Sequence, residues 1–375
     1  MAGRTISRRQ FLRHAGAAAA LLGLSEAMIP RLARALEDLA AGKPPIIWIQ
    51  GQNCTGCSIS FLNSNFPEVA QLVLDDLSVR YHPNLMAGAG NVAQEVIEQT
   101  RKEMKGKYVL VVEGPVPLSH GGEYCTFGLG KGSRDLMGNT VPADKPMVEW
   151  MAELVPDAAG IIANGNCAAF GGIPAANASV TGTTPVEKVV SNIDPGKPVV
   201  NVGGCPSHPD WFVGTVLETL MALNNKGRLN LDHHNRSKTF FGKLIHENCE
   251  RRAAFDSGLF LEDWNDHNPA LKLCLFKMGC KGPVTYADCP TRRWNSQVNW
   301  CVGSNAPCNG CSEPAFYERF SPLYEPLPNI SIVSTAGVDT LGKAAAGATV
   351  VGIGAHYLYK QLGKRSADKA EGGEE

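Results

Sequence analysis

The chain has 375 residues, of which 44% are hydrophobic and 19% are charged, and its formal net charge is -1. This length is enough for two domains with real cores, and the balanced charge gives no electrostatic basis for nucleic-acid binding. Forty glycines and twenty-four prolines predict many tight loops, which are the usual place for bound cofactors.

The first 43 residues predict an export signal that is separate from the fold. Residues 7–13, with the sequence S-R-R-Q-F-L-R, match the twin-arginine pattern, and an apolar stretch follows at residues 17–24. Residues 33–35, A-R-A, fit a small-residue cleavage site. The alternative is an amphipathic helix with incidental arginines. Because this export route carries folded proteins, metal centres can be installed before the chain leaves the cytoplasm.

Residues 46–225 alternate short apolar runs with helix-like stretches. The apolar runs span residues 46–49, 77–81, 108–112, 160–163 and 198–202. The helix-like stretches include residues 91–104, 147–154 and 209–223. This alternation predicts an α/β fold, a parallel sheet with helices on both faces. Ligands of such sheets gather beyond the carboxyl ends of the strands, at the topological switch point.

A first set of cysteines follows three of these predicted strands. Cys54 and Cys57 lie beyond the first strand in N-C-T-G-C, and Cys167 and Cys205 follow the last two. The carboxyl ends of parallel strands meet at one edge of a sheet, so these four thiols are expected to converge there.

Residues 226–325 have weak periodicity and many turns, and they contain two further sets with metal-ligand spacing. The second set is His246, Cys249, Cys274 and Cys280, and the third set is Cys289, Cys301, Cys308 and Cys311. A hundred residues with little regular structure rarely pack alone. We therefore expect bound metal clusters to cross-link this stretch.

The three sets contain eleven cysteines and one histidine, enough ligands for three four-coordinate iron-sulfur clusters. Six disulfides are an alternative for an exported chain, but disulfide scaffolds are usually small proteins that lack a core. Structural zinc is the other alternative, and three sets in one chain favour redox clusters over it. The remaining cysteine, Cys125, is predicted to be a buried, inert thiol.

Two other segments carry information about partners. Residues 128–132 are glycine-rich but lack the G-x-x-x-x-G-K-S/T frame, so we expect no nucleotide. Residues 344–359 contain no charged residue and precede four basic ones, Lys360, Lys364, Arg365 and Lys369. The stretch is shorter than the roughly 20 residues that span a bilayer, but the basic tail suits a cytoplasmic end. We predict a single anchoring helix, and the alternative is a helix lying on the membrane surface.

The ligand-bearing strings resemble the small subunit of nickel-iron hydrogenases. They are C-T-G-C-S, N-C-A-A-F-G-G-I-P-A-A, G-G-C-P-S-H-P, H-E-N-C, K-M-G-C-K-G-P and Q-V-N-W-C-V-x-x-x-A-P-C-N-G-C. The resemblance runs over residues 45–324, includes the signal and matches every ligand position in order. It implies that the first set holds a proximal 4Fe-4S cluster, nearest the nickel-iron centre of a separate large subunit. The third set then holds the medial cluster, and the second set holds the distal 4Fe-4S cluster.

Cys301 refines this assignment, because many relatives carry proline there and have a three-iron medial cluster. A fourth thiolate implies a medial 4Fe-4S cluster, as in the nickel-iron-selenium branch. The alternative is a free thiol beside a 3Fe-4S cluster. The neutral imidazole of His246 is expected to raise the potential of the distal cluster, which exchanges electrons with an outside partner.

The resemblance also implies a domain organisation. Residues 1–43 are the twin-arginine signal, and residues 44–225 form a flavodoxin-like domain with the proximal cluster. Residues 226–325 form an irregular domain with the medial and distal clusters. Residues 326–375 contain a linker, a transmembrane helix and the basic tail.

The function implied is electron relay between the H2-activating site of the large subunit and an external acceptor. The resemblance implies that the heterodimer of this chain and the large subunit is a hydrogenase. This chain contains no catalytic residue, and it is active only together with the large subunit. The acceptor is a membrane cytochrome b, a multihaem cytochrome c or a quinone-reducing subunit, at the periplasmic face of the cell membrane. Two alternatives remain: a multi-cluster electron carrier without hydrogenase activity, and the related subunit of respiratory NADH dehydrogenase. The second and third sets argue against the latter.

Overall fold

The structure is a computed structural model, and it describes most of the chain between residues 45 and 326. The described residues are 45–64, 77–130, 133–134, 137, 140–141, 144–177, 179–225, 227–265, 272–326 and 347–357. The predicted export signal and the basic tail lie outside them. The chain divides into two compact units, Met1–Glu325 and Pro326–Glu375.

A five-stranded sheet forms the centre of the first unit. Its strands are β1 (Pro45–Gln50), β2 (Ser78–Tyr81), β3 (Val109–Glu113), β4 (Gly160–Asn164) and β5 (Val199–Val202). All pairings are parallel, and the order is β2-β1-β3-β4-β5. This is the flavodoxin-like order, in which the switch point lies between β1 and β3. The prediction of an α/β fold with a parallel sheet is confirmed.

Helices connect the strands of this sheet. They are α1 (Gly56–Leu62), α2 (Asn91–Glu103), α3 (Met147–Leu154), α4 (Asn166–Phe170), α5 (Val186–Ile193) and α6 (Pro209–Leu223). The three predicted helices agree with α2, α3 and α6 to within one residue. Helix α6 begins sharply because His208 caps it by accepting a hydrogen bond from the Asp210 N–H, and Pro209 occupies the first position.

The core lies on both faces of the sheet, as the alternation of side chains along β1 shows. Ile46 and Trp48 belong to a buried cluster with residues of α6, whereas Ile47 and Ile49 belong to a second cluster with residues of α2 and α3. Successive strand residues point to opposite faces, and both faces are covered, so β1 is apolar throughout.

Residues 227–325 contain only short elements in their described parts. They are α7 (Lys238–Phe241), α8 (Arg252–Asp256), α9 (Cys289–Arg292) and the 3-10 turns Ile245–Asn248, Phe276–Met278, Gly282–Val284 and Glu318–Phe320. Phe240, Leu275 and Trp300 join the cluster on the α6 face of the sheet. This stretch therefore shares the core of the sheet. The division at residue 226 remains a prediction.

Short strands and turns also occur between residues 116 and 184, outside the five-stranded sheet. Short antiparallel pairs join Val116–Pro117 to Thr183–Thr184, Thr126–Leu129 to Asp144–Pro146, and Ser133–Arg134 to Thr140–Val141. The 3-10 turns here are Ser119–Gly122 and Ile173–Ala175.

The described part of the second unit is a helix over residues 347–357, with exposed side chains. Within the described ranges, no helix has both the length and the apolar character needed to cross a membrane. Residues 344–346 and 358–359 of the predicted anchor lie outside those ranges, so the anchor remains a prediction.

Candidate functional site

The first set of cysteines meets at the carboxyl edge of the sheet. Cys54 and Cys57 follow β1, Cys167 lies in α4 directly after β4, and Cys205 follows β5. A hydrogen bond between the side chains of Cys167 and Cys205 lowers the pKa of Cys167 and raises that of Cys205. The charges of Cys57 and Cys54 also act on Cys167, so all four thiols lie close together.

A glycine makes room for this convergence. Gly165, between β4 and α4, has a φ of +89°, and a Cβ atom built on it would lie 2.4 Å from the Cys57 sulfur. Only glycine adopts this backbone freely and leaves space for the thiol. The turn after β4 thus brings the segment carrying Cys167 against Cys57.

The second set lines one pocket. His246, Cys249, Cys274 and Cys280 all face it, together with apolar walls that include Leu275, Phe276 and Val302. The His246 ring packs edge-on against Phe255, with ring centroids 4.4 Å apart. Its buried Nε2 has no hydrogen-bond partner among the described residues. Burial lowers the pKa of His246, which favours the neutral imidazole that a metal ligand requires.

The third set surrounds the start of α9. Cys289 and Cys308 are buried, Cys311 is half-buried and Cys301 is exposed. Burial raises the pKa of Cys289, and the charges of Cys311 and Cys301 add to this effect, so the three thiols are neighbours. Burial also raises the pKa of Cys308, and the charges of Cys311 and Cys289 add to this effect. The Trp294 side chain forms a hydrogen bond with the Cys289 sulfur.

Two backbone N–H groups connect the third set to the others. The backbone N–H of Cys205 lies near the Cys311 sulfur and lowers the pKa of that thiol, opposing the larger effect of burial and placing the first set next to the third. The backbone N–H of Cys308 donates to the Cys280 sulfur at 3.3 Å, which joins the third set to the second. The third set is last along the chain, yet in space it contacts both other sets.

The chemistry of these sites fits a bound metal cluster. Burial raises the pKa of Cys57 to about 12, that of Cys311 to about 12 and that of Cys274 to about 11. A thiol that is buried away from water does not ionise at neutral pH unless a metal supplies a compensating positive charge. Among the described residues, no three His, Cys, Asp or Glu side chains converge as ligands of a single ion. Ligands of a cluster bind different iron atoms and therefore stand farther apart.

Glu113 is a residue that the sequence analysis missed. It ends β3, is 1% exposed, and accepts hydrogen bonds from Trp48 Nε1 at 3.0 Å and from the backbone N–H of Ser58 at 3.1 Å. The Ser58 hydroxyl also donates to it, and His82 Nε2 lies 3.2 Å from that hydroxyl. The carboxylate is the second cause, after burial, of the raised pKa of Cys57. Its position at the carboxyl end of a strand beside the switch point was the available signal.

Cys125 is half-buried, and its thiol donates to the Gln50 carbonyl at 3.7 Å. Burial raises the pKa of Cys125 to about 11, which keeps the thiol protonated. An inert thiol has these properties.

Two family profiles match the chain. One, described as the C-terminal part of NiFe/NiFeSe hydrogenase small subunits, matches residues 241–324. The other, described as the 20 kDa subunit of NADH ubiquinone oxidoreductase, matches residues 54–219. The first profile includes all ligands of the second and third sets. The second profile includes all four ligands of the first set and strands β2 to β5 of the sheet, and it begins after β1.

Individual relatives match over nearly the whole chain. The uptake hydrogenase small subunit of Bradyrhizobium diazoefficiens is 39% identical over 370 residues, 98% of this chain and 94% of the relative. The periplasmic NiFeSe hydrogenase small subunit of Desulfomicrobium baculatum is 38% identical over 328 residues, 85% of this chain and 99% of the relative.

A solved structure agrees with these sequence matches. The reduced, active NiFeSe hydrogenase of Desulfomicrobium baculatum superposes with a TM-score of 0.70 and 40% identity, covering 76% of this chain and 100% of that one. The chain therefore belongs to the family of nickel-iron and nickel-iron-selenium hydrogenase small subunits, the iron-sulfur electron-transfer subunits that pair with a hydrogenase large subunit.

Proposed function

We propose that this chain relays electrons through three 4Fe-4S clusters between the hydrogen-activating site of its large subunit and an external acceptor. The proximal cluster would bind Cys54, Cys57, Cys167 and Cys205, and the medial cluster Cys289, Cys301, Cys308 and Cys311. The distal cluster would bind His246, Cys249, Cys274 and Cys280. The chain of contacts from the first set through the third to the second carries this proposal.

Bound clusters supply sites that accept and release single electrons, and the protein holds and tunes them. Buried apolar residues, among them Leu275 beside the second set and Trp300 next to Cys301, limit the contact of these sets with water. A neutral imidazole at His246 in place of a thiolate removes one negative charge, which raises the potential of the distal cluster. A higher potential at the exit suits transfer to an outside acceptor.

The four-iron character of the medial cluster depends on Cys301. Its charge acts on both Cys289 and Cys311, which supports a place for it in the same ligand set. A fourth ligand and iron are expected to lower the medial potential relative to a three-iron cluster. The alternative remains a 3Fe-4S cluster beside a free Cys301.

The face around the first set is proposed to bind the large subunit. Ile59 and Leu62, in the helix that begins beside Cys57, are 56% and 45% exposed, and Ile173, whose N–H bonds to Cys167, is 51% exposed. Exposed apolar side chains grouped in this way are typical of a subunit interface. This supports the first set as the one nearest the nickel-iron centre.

The chain is proposed to act at the periplasmic face of the cell membrane. The twin-arginine pattern in residues 7–13 supports export, and one relative is named as periplasmic. The uncharged stretch at residues 344–359, followed by basic residues, supports anchoring next to a membrane cytochrome b, a multihaem cytochrome c or a quinone-reducing subunit.

A paired activity measurement tests this function. The isolated chain is expected to be inactive, and the co-purified heterodimer is expected to reduce a viologen dye under hydrogen. Nickel in the co-purified partner separates a hydrogenase from a plain multi-cluster electron carrier. The proposal would be contradicted if the isolated chain reduced the dye under hydrogen, or if a stable holoprotein formed without a nickel-containing partner.

A further inference from the structure

Lys281 is a buried lysine that follows Cys280 directly. It is 3% exposed, and its ammonium group donates to the backbone carbonyls of Gly279 at 2.8 Å, Leu323 at 3.2 Å and Glu325 at 2.5 Å. These acceptors are neutral, and within the described ranges no carboxylate forms an ion pair with this ammonium. A buried charge costs several kcal/mol when it is not offset by an opposite charge. The position therefore calls for an anionic neighbour.

The anionic neighbours are ligands of two different sets. The backbone N–H of Lys281 donates to the Cys308 carbonyl at 2.7 Å, and the Cys308 N–H donates to the Cys280 sulfur at 3.3 Å. Burial lowers the pKa of Lys281, and the charges of Cys280, Cys308 and Glu325 oppose that effect. Lys281 thus lies at the junction between the second and third sets, close enough to interact with both.

We propose that the positive charge of the Lys281 ammonium group stabilises the reduced states of the medial and distal clusters and so raises both reduction potentials. This inference rests on the proposed function. Adding an electron makes a thiolate-bound cluster more negative, and a nearby cation in a poorly screened interior favours that state. One charge at the junction acts on both clusters, so it moves the two potentials in the same direction.

The test is an EPR-monitored redox titration of the purified heterodimer carrying Lys281→Gln or Lys281→Arg. Lys281→Gln keeps a hydrogen-bond donor but removes the charge. A unit charge about 10 Å away in a medium of effective dielectric constant about 20 changes an equilibrium constant by roughly tenfold. We expect the equilibrium constants for reduction of the medial and distal clusters to fall by about tenfold, equal to about 59 mV for a one-electron couple.

Lys281→Arg keeps the charge and is expected to stay within about twofold of the wild type. The proximal cluster is expected to shift less than the other two in both variants. Unchanged medial and distal potentials in Lys281→Gln would overturn the inference. Equal shifts in the two variants would also overturn it, because they would assign the effect to packing.

Two further variants make the result unambiguous. Lys145→Gln removes another buried ammonium, which pairs with Glu153 and lies over the Trp150 ring, and it is expected to leave the potentials unchanged. If Lys281→Gln does not assemble, Lys281→Met removes the same charge and keeps most of the length of the side chain. Its medial and distal potentials are expected to fall as in Lys281→Gln, and unchanged potentials overturn the inference.

Iron and acid-labile sulfide contents separate this inference from the proposed function. If the wild-type heterodimer lacks the clusters, the proposed function fails. If the clusters are present and their reduction potentials do not change when Lys281 is replaced, only the inference fails.

Discussion

At the residue scale, one exposed thiol is expected to decide the iron content of a cluster. Replacing Cys301 with alanine removes the fourth ligand of the medial set while Cys289, Cys308 and Cys311 remain. We predict the loss of about one iron atom per chain and a three-iron EPR signal from the oxidised enzyme. Iron analysis and EPR check this prediction.

Cys125→Ala is the matched control, because this thiol belongs to none of the ligand sets, and its iron content and EPR spectrum are expected to stay unchanged. A strong three-iron signal from the oxidised wild type would show that Cys301 is not a ligand.

His82 predicts a pH dependence of stability. Its side chain is 1% exposed, its Nδ1 accepts the Asn84 N–H at 3.1 Å, and burial lowers its pKa to about 4. Between about pH 6.5 and pH 4 the unfolded chain binds a proton that the folded chain does not. Stability is therefore expected to fall as pH falls through this range, by at most about 3 kcal/mol from this group.

The measurement compares apparent melting temperatures of the wild type and His82→Gln at one scan rate across this pH range. The variant is expected to be less stable at pH 7 and to lose stability less steeply on acidification. An equally steep decline in both proteins would exclude His82 as the cause.

At the element scale, the turn between β4 and α4 decides whether the first set can assemble. Gly165→Ala puts a Cβ atom 2.4 Å from the Cys57 sulfur at a φ of +89°. We predict that the proximal cluster is lost, with about four iron atoms fewer per chain, while the medial and distal EPR signals remain.

Gly106→Ala is the control, because Gly106 has a φ of +71° but nothing within 4 Å of its added Cβ. It carries only the backbone strain, about 1–2 kcal/mol, and is expected to keep all clusters. A Gly165→Ala enzyme with full iron content would contradict the steric argument.

The regular elements were largely predictable from the sequence. The apolar runs predicted all five strands of the sheet, because strands buried on both faces are continuously apolar. Helices α2, α3 and α6 were predicted from the helix-like stretches that alternate with these apolar runs. The Glu113 network was not predicted, because a single carboxylate after an apolar strand gives no sign of the serine and tryptophan that will surround it.

At the scale of the whole molecule, the proposed export signal in residues 1–43 predicts where the assembled enzyme is found. Replacing both Arg8 and Arg9 with lysine is expected to keep the folded heterodimer in the cytoplasm, since both arginines define the export pattern. Fractionation of cells followed by a viologen assay measures this distribution.

Arg13→Lys is the control, because lysine is common at that position of the pattern, and export is expected to continue. Undiminished periplasmic activity of the double variant would refute the assignment of residues 1–43 as a twin-arginine signal.

The sequence by itself determined the order of strands and helices, the identity of the candidate ligands and the family. These properties depend on local periodicity and on short motifs, which are written along the chain. Only the tertiary structure decided that the third set touches both others, that Glu113 lies buried beside Cys57 and that Lys281 lies at a junction of two sets. Such neighbours come from segments far apart along the chain, and the packing that brings them together has no counterpart in local spacing.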